Sequence, residues 1–183
     1  MSIEELEDLR YPIGKFDFPK SYAKQDIENG IHTICHFPQV LRESVQYLSD
    51  DQLNTPYRPD GWTVRQLVHH LADSHMNSYI RFKWTLTEDE PTIKAYNEKD
   101  WAELSEAKHD AIEPSLLLLT ALHLKWTKIL NNLSEADMHK AFVHPQNGRK
   151  IKLYENIELY AWHCNHHLAH IMNLVERMKW NNS

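Results

Sequence analysis

The sequence predicts an all-α fold, a four-helix bundle. Three observations support this: four long segments carry apolar residues at helical spacing, helix-start signatures precede several elements, and the connections are polar and rich in proline. The 183 residues suit one compact domain with a sizeable core, so residues 1–183 are taken as a single domain. The elements follow in order. Residues 1–20 hold two prolines and no sustained periodicity, and are expected as an extended N-terminal arm. Residues 22–48 place Ile31, Ile34, Phe37, Leu41, Val45 and Leu48 at helical spacing, with Pro38 expected to kink or interrupt the helix. Ser49-Asp50-Asp51-Gln52 is a capping box for a short helix over Asp50–Leu53.

Thr55–Trp62 has two prolines and an Asp-Gly pair, which make it a loop. The clearest helix start follows. Thr63-Val64-Arg65-Gln66 is a capping box that opens directly into the stripe Val64, Leu67, Val68, Leu71, and the helix should run to about Glu88. Residues 89–113 are polar, with room for a short helix near Lys99–Glu106. Pro114 suits the first turn of a third long helix ending near Asn131, and Ser134–Asp137 opens another helical turn. Ala141–His144 and Lys150–Leu153 flank Asn147-Gly148, which predicts a small β-hairpin. The last helix should span about Tyr154 to Met178. The connections are long for a minimal bundle, so they are expected to pack over one end and furnish a pocket there.

Composition removes several classes of function. Four glycines are too few for a phosphate-cradling loop, and neither a dinucleotide fingerprint nor a Walker motif occurs. A formal net charge of −6 gives no footprint for nucleic acid. Cys35 and Cys164 lie far apart and form no CxxC, so a reducing cytoplasm is the expected location. Met1 to Asp8 is acidic without an apolar signal region, and the longest apolar run, Leu116–Leu119, cannot span a membrane.

Histidine is the unusual component. Thirteen occur, and four fall within eight residues of the last helix: His163, His166, His167 and His170. His163/His167 and His166/His170 are both i, i+4 pairs, each stacking two imidazoles on one helix face. The path Tyr160, His163, His167, Ile171, Leu174 follows the apolar stripe, so His163 and His167 should face the core, with His166 and His170 at the bundle edge. A metal centre with an open position takes three protein ligands. The helix that starts at Val64 offers His69, His70 and His75. His70 flanks its apolar stripe and leads, by steps of three and four, into Asp73, Ser74, Asn77 and Arg81. His70, His163 and His167 are therefore the candidate ligands of one divalent metal. Nitrogen donors without thiolates suit zinc, nickel, iron or copper. Cys164 projects about 100° from His163 and fits a small buried hydrophobe better than a ligand.

Gly61-Trp62-Thr63-Val64-Arg65-Gln66, His69 through Phe82, and Trp162-His163 through His170-Ile171 resemble the YfiT-like branch of the DinB superfamily, as does the Tyr11-Pro12-Ile13-Gly14 start. The resemblance covers about Leu53 to Trp180. It implies a four-helix bundle, a homodimer, and a metal held by three histidines at the positions of His70, His163 and His167; zinc or nickel is the metal expected. It further implies metal-dependent hydrolases, or transferases and isomerases that use a low-molecular-weight thiol such as bacillithiol.

Two enzyme readings follow, both acting on a small molecule: transfer of a thiol, ranked first, and hydrolysis by hydroxide generated at the metal. The alternative is a non-catalytic, metal-stabilised binding or stress-response protein, which a fourth protein ligand such as Cys164 or His166 would favour. Asp73 is the candidate base or orienter of a ligand imidazole, and its other reading is a salt bridge on its helix face. Asn77, Arg81 and Tyr57 are candidate substrate contacts. Asn77 and Arg81 suit an anionic substrate, with an interhelix ion pair as the alternative. Trp62 is read as a core anchor at the helix start and His144 as a loop residue. No organic cofactor, nucleic acid or membrane partner is expected.

Overall fold

The structure, a computed structural model, describes residues 2–180; Met1 and 181–183 lie outside it. The chain runs α1 (Ile3–Arg10), α2 (Lys24–Val45), α3 (Asp50–Leu53), α4 (Val64–Thr87), α5 (Glu98–Ala102), α6 (Ser105–His109), α7 (Glu113–Leu130), α8 (Glu135–Met138), β1 (Ala141–Val143), β2 (Lys150–Lys152) and α9 (Leu153–Arg177). The four long helices make the bundle: α2 packs on α7 and α9, and α4 packs on the same two. Ile34 and Leu41 of α2, Leu67 and Leu71 of α4, Leu119 and Trp126 of α7, and Ile157 and Ile171 of α9 are wholly buried between them. Burying a side chain of this size contributes about 1.5–3 kcal/mol, which holds the helices in register. Gly30 lets α2 and α9 approach closely; a Cβ there would sit 3.0 Å from Cγ2 of Ile157.

The capping boxes act as expected. Oγ of Ser49 accepts from the Gln52 amide, and Oγ1 of Thr63 accepts from the Gln66 amide. The hairpin forms with Phe142 opposite Ile151, and those two pack with Ile93 into a small second core. Pro38 does not interrupt α2, which continues through it; the proline removes one amide donor and leaves the carbonyl of Ile34, four residues earlier, without its helical partner.

The extended arm is corrected in its first half. Ser2 caps α1 through a capping box with Glu5; the Ser-x-x-Glu signal is in the sequence, but the eight residues of α1 are mostly polar and carry little apolar periodicity. The remainder of the arm lies across α9: the ring of Phe16 packs on Trp162 at 5.8 Å and that of Tyr11 on His166 at 6.2 Å. Arg65, buried inside the capping motif, clamps the chain ahead of the bundle end by donating to Asn54, Asp50 and the Asp110 carbonyl.

Candidate metal centre

Helices α4 and α9 bring the three candidate ligands together. The imidazoles of His70, His163 and His167 each offer a nitrogen within 4.8 Å of the other two. Nε2 of His70 lies 3.4 Å from Nε2 of His163. Two nitrogens bound tetrahedrally to one zinc-sized ion at about 2.05 Å would stand about 3.3 Å apart, so this separation fits a shared cation. No carboxylate belongs to this set, and the thiol of Cys164, fully buried with its pKa pushed up by burial, stays outside it. The ring of Trp62 stands 4.7 Å from His70, so this half-buried residue borders the centre as well as the helix start.

The hydrogen bonds behind His163 run in one direction. Its Nδ1 lies 3.2 Å from Nε2 of His75; Nδ1 of His75 lies 2.7 Å from Nε2 of His123; and Nδ1 of His123 meets the carbonyl that Pro38 freed, that of Ile34. A carbonyl only accepts, so the hydrogen of His123 sits on Nδ1 and its Nε2 accepts. His75 must then carry its hydrogen on Nδ1, and so must His163. That leaves the Nε2 lone pair of His163 free on the side facing His70 and His167. Such orientation of a ligand through its second nitrogen is what a metal-binding histidine requires. Burial keeps these rings uncharged: His70 and His123 are pushed down to about 4, and His75, His163 and His167 well below their usual range. In the sequence His75 is only one more histidine of its helix, and nothing singles out His123. Its signal is a lone histidine within an apolar helix, which reads as core until Pro38 supplies the unpaired acceptor.

The second α9 pair is not at the bundle edge. His166 and His170 are buried, because Tyr11, Arg10 and Tyr57 cover them. Nε2 of His170 donates to the Arg10 carbonyl at 3.3 Å, and its ring stacks on Tyr57 at 4.1 Å. With His167 these two form a second group of nitrogens within 4.8 Å of one another, so His167 belongs to both groups.

Two cavities meet at His163. One, of about 760 Å³, is lined by His70, His163, His167, His166, Tyr57 and Trp62, among others. The other, of about 680 Å³, includes Ser74, Arg81, Tyr96, His144 and Tyr160 in its lining. Glu98 and Lys99 border both. Tyr57 therefore faces the first cavity, through its stack on His170, and Arg81 faces the second. Asn77 leaves the candidate contacts: its amide donates to the Asp73 carbonyl one turn back at 2.9 Å, and it lines neither cavity. Asp73 lines neither as well. Burial first, then Glu106, raises its carboxyl to about 6, and no ion pair joins it to Arg81 or Lys83 among the described residues.

The family model of the DinB superfamily matches residues 36–171, which hold all three candidate ligands. The chain belongs to the DinB superfamily. Within that superfamily it is 46% identical over 176 residues to a Bacillus licheniformis protein named "Putative metal-dependent hydrolase", covering 96% of this chain and 100% of the relative. A Bacillus mycoides protein of the same description is 49% identical over 175 residues, with 96% and 100% covered. Among solved structures, YfiT from Bacillus subtilis, described as "a probable metal-dependent hydrolase with an unusual four-helix bundle topology", superposes with a TM-score of 0.93 at 46% identity, over 95% of this chain and 99% of that one. The DinB-type four-helix bundle expected from the sequence is therefore the fold observed. Among the described residues no helix is long and apolar enough to cross a membrane.

Proposed function

We propose that this protein is a metal-dependent enzyme that transfers a low-molecular-weight thiol, of the bacillithiol type, to an electrophilic small molecule. The observation that carries this reading is the pair of cavities meeting at His163, about 760 and 680 Å³ in size. Transfer between two molecules needs both held beside one centre, whereas hydrolysis needs room for one substrate and a water. His70, His163 and His167 would hold the metal, zinc or nickel by the character of the donors. A divalent ion held by three neutral imidazoles keeps its full charge and an open position, which lowers the pKa of a thiol or water bound there.

The chain's own groups supply orientation. His75 and His123 fix the ring of His163, and Trp62 packs on His70. In the reaction the thiol loses its proton, the sulfur forms a bond to the electrophilic carbon, and the bond from that carbon to the leaving group breaks. Burial lowers the pKa of His166 to about 4 and of His170 to about 3, which makes both weak bases beside the centre. The thiol's proton is released to solvent, which the first cavity admits.

The names of the relatives favour hydrolysis as the second reading, since the same three ligands would serve it. Purified metal-loaded protein should conjugate a bacillithiol-type thiol to an alkylating electrophile. Turnover of esters or amides without conjugation would reverse the ranking, and neither activity would leave the binding-protein reading. A reducing cytoplasm is part of the proposal, and both cysteines are free thiols. So is a homodimer, for which the exposed Leu117, Leu118 and Leu124 of α7 offer an apolar face. Sedimentation at a single-chain mass would remove it.

A further inference from the structure

Arg81 stands on α4 three turns beyond His70, only 9% exposed, with no carboxylate in contact among the described residues. Its Nε is buried without an acceptor. Arginine cannot discard its charge, so a buried guanidinium without a partner is an unmade set of bonds. Folded proteins rarely leave such a group unmatched unless a ligand completes it.

Arg81 faces the second cavity, which continues along α4 and α9 past Ser74 and Tyr160 to His163. The charged groups around this cavity are Arg81 and Lys99 against the single carboxylate of Glu98, with His144 opposite. The positive field of Arg81 is felt there: His144 is pushed below its usual range first by burial and then by that guanidinium. Arg81 lies about 16 Å along the helix axis from His70, and side chains on a helix lean toward its N-terminus, so the guanidinium sits closer to the centre than its backbone does. An elongated small molecule can touch both.

We propose that the second cavity is an oxyanion chamber, in which the unpartnered Arg81 guanidinium binds the carboxylate or phosphate group of a small molecule whose other end reaches the His163 side of the metal centre. The anion requires only Arg81; the reach toward the centre rests on the enzymatic reading above. The planar fork of arginine pairs with two oxygens at once, a geometry lysine cannot reproduce.

The test measures binding of succinate and of inorganic phosphate by calorimetry at constant ionic strength. It uses full-length protein with metal bound and again after chelator treatment, because an anion on the metal would mimic an anion on Arg81. One of the two anions should bind in both states, and uncharged succinamide in neither. Arg81→Gln should weaken that binding tenfold or more, with Arg81→Lys recovering part of it. Tighter succinate binding assigns a carboxylate, and tighter phosphate binding a phosphoryl group. Binding by neither anion, equal binding by Arg81→Gln, or binding that vanishes on metal removal would each overturn the chamber. If Arg81→Gln does not fold, the side-chain Nε–H resonance of Arg81 in the unaltered protein decides the question. It is identified by its loss in Arg81→Lys, and it should shift on adding the anion. Anion binding without thiol conjugation would sink the transferase reading while leaving the chamber, and conjugation without anion binding would do the reverse.

Discussion

Helix α9 carries two histidine pairs of identical spacing, and the fold treats them differently. His163, in the inner pair, spends its Nδ1 on His75 and so presents Nε2 to His70 and His167. In the outer pair, His170 spends its Nε2 on the Arg10 carbonyl, and Nδ1 of both His166 and His170 is buried without a partner. Spacing decides which rings are neighbours. The anchor behind each ring decides which nitrogen is offered, and to which side. Within the inner pair only His163 is anchored through the His75–His123 chain, since Nδ1 of His167 is also buried without a partner, and only the inner pair has a third imidazole across the bundle on α4.

The most direct way to break that contrast is to remove the rings one at a time. His163→Ala and His167→Ala should each abolish stoichiometric metal uptake with little loss of helicity, whereas His166→Ala should retain it. Elemental analysis of the purified variants checks this. Loss of metal in His166→Ala with retention in His163→Ala would move the centre to the outer group.

The anchoring chain sharpens the comparison further. His75→Leu or His123→Leu leaves all three ligands in place but frees the ring of His163, and losses of roughly 10–100-fold in metal affinity are typical for such supporting groups. Competition with a chelator of known strength reads the change. Pro38→Ala tests the same chain from its far end: the restored amide can donate to the Ile34 carbonyl, so α2 should gain stability while metal affinity falls less than in His123→Leu. Unchanged affinity in all three variants would mean that the chain does not orient His163.

This also marks how far the sequence could be read. The long helices, their capping boxes, the hairpin and the candidate set of His70, His163 and His167 follow from periodicity and local signals, because spacing along one helix is a local property. His123 was not legible. Its meaning depends on α2, α4 and α7 meeting at a carbonyl that a proline has freed, and no single stretch of chain contains that information. The burial of His166 and His170 was missed for the same reason, since the covering residues Arg10, Tyr11 and Tyr57 come from distant segments. Asn77 shows the converse: it has the spacing of a pocket residue, but its amide donates to the Asp73 carbonyl of its own helix.

Both pairs share one property, uncharged burial, and this predicts an acid limit on the fold. His70, His123 and His166 are pushed down to about 4 and His170 to about 3, in each case first by burial. Above their ordinary value of about 6.5 these groups are neutral in folded and unfolded chains alike, so their stability is fully present. As pH falls below that value the unfolded chain takes up protons that the folded one refuses, and stability is lost progressively toward pH 4. All four act in the same direction, so their losses reinforce one another as pH falls below 6.5. Denaturant midpoints of metal-free protein at pH 7.5, 6.5 and 5.5 should fall steeply over the last interval. A flat profile would show that these imidazoles accept protons in the fold.

Asp73 has the opposite sign and the smallest expected effect. Burial, with Glu106 adding to it, raises its carboxyl from 3.8 to about 6, so the folded chain holds this proton more tightly than the unfolded one. Its contribution is most favourable below pH 4 and is lost as pH rises through 6, leaving a half-buried, unpaired carboxylate at pH 7. Asp73→Asn removes that charge. It should raise stability at pH 7 by about 1 kcal/mol, after discounting for the solvent that still reaches the group, and the gain should shrink toward pH 4. Because Asp73 lines neither cavity, the same variant should retain metal and thiol conjugation at the level of the unaltered protein. A large loss of turnover with metal still bound would return Asp73 to the chemistry as the base its place in the sequence suggested.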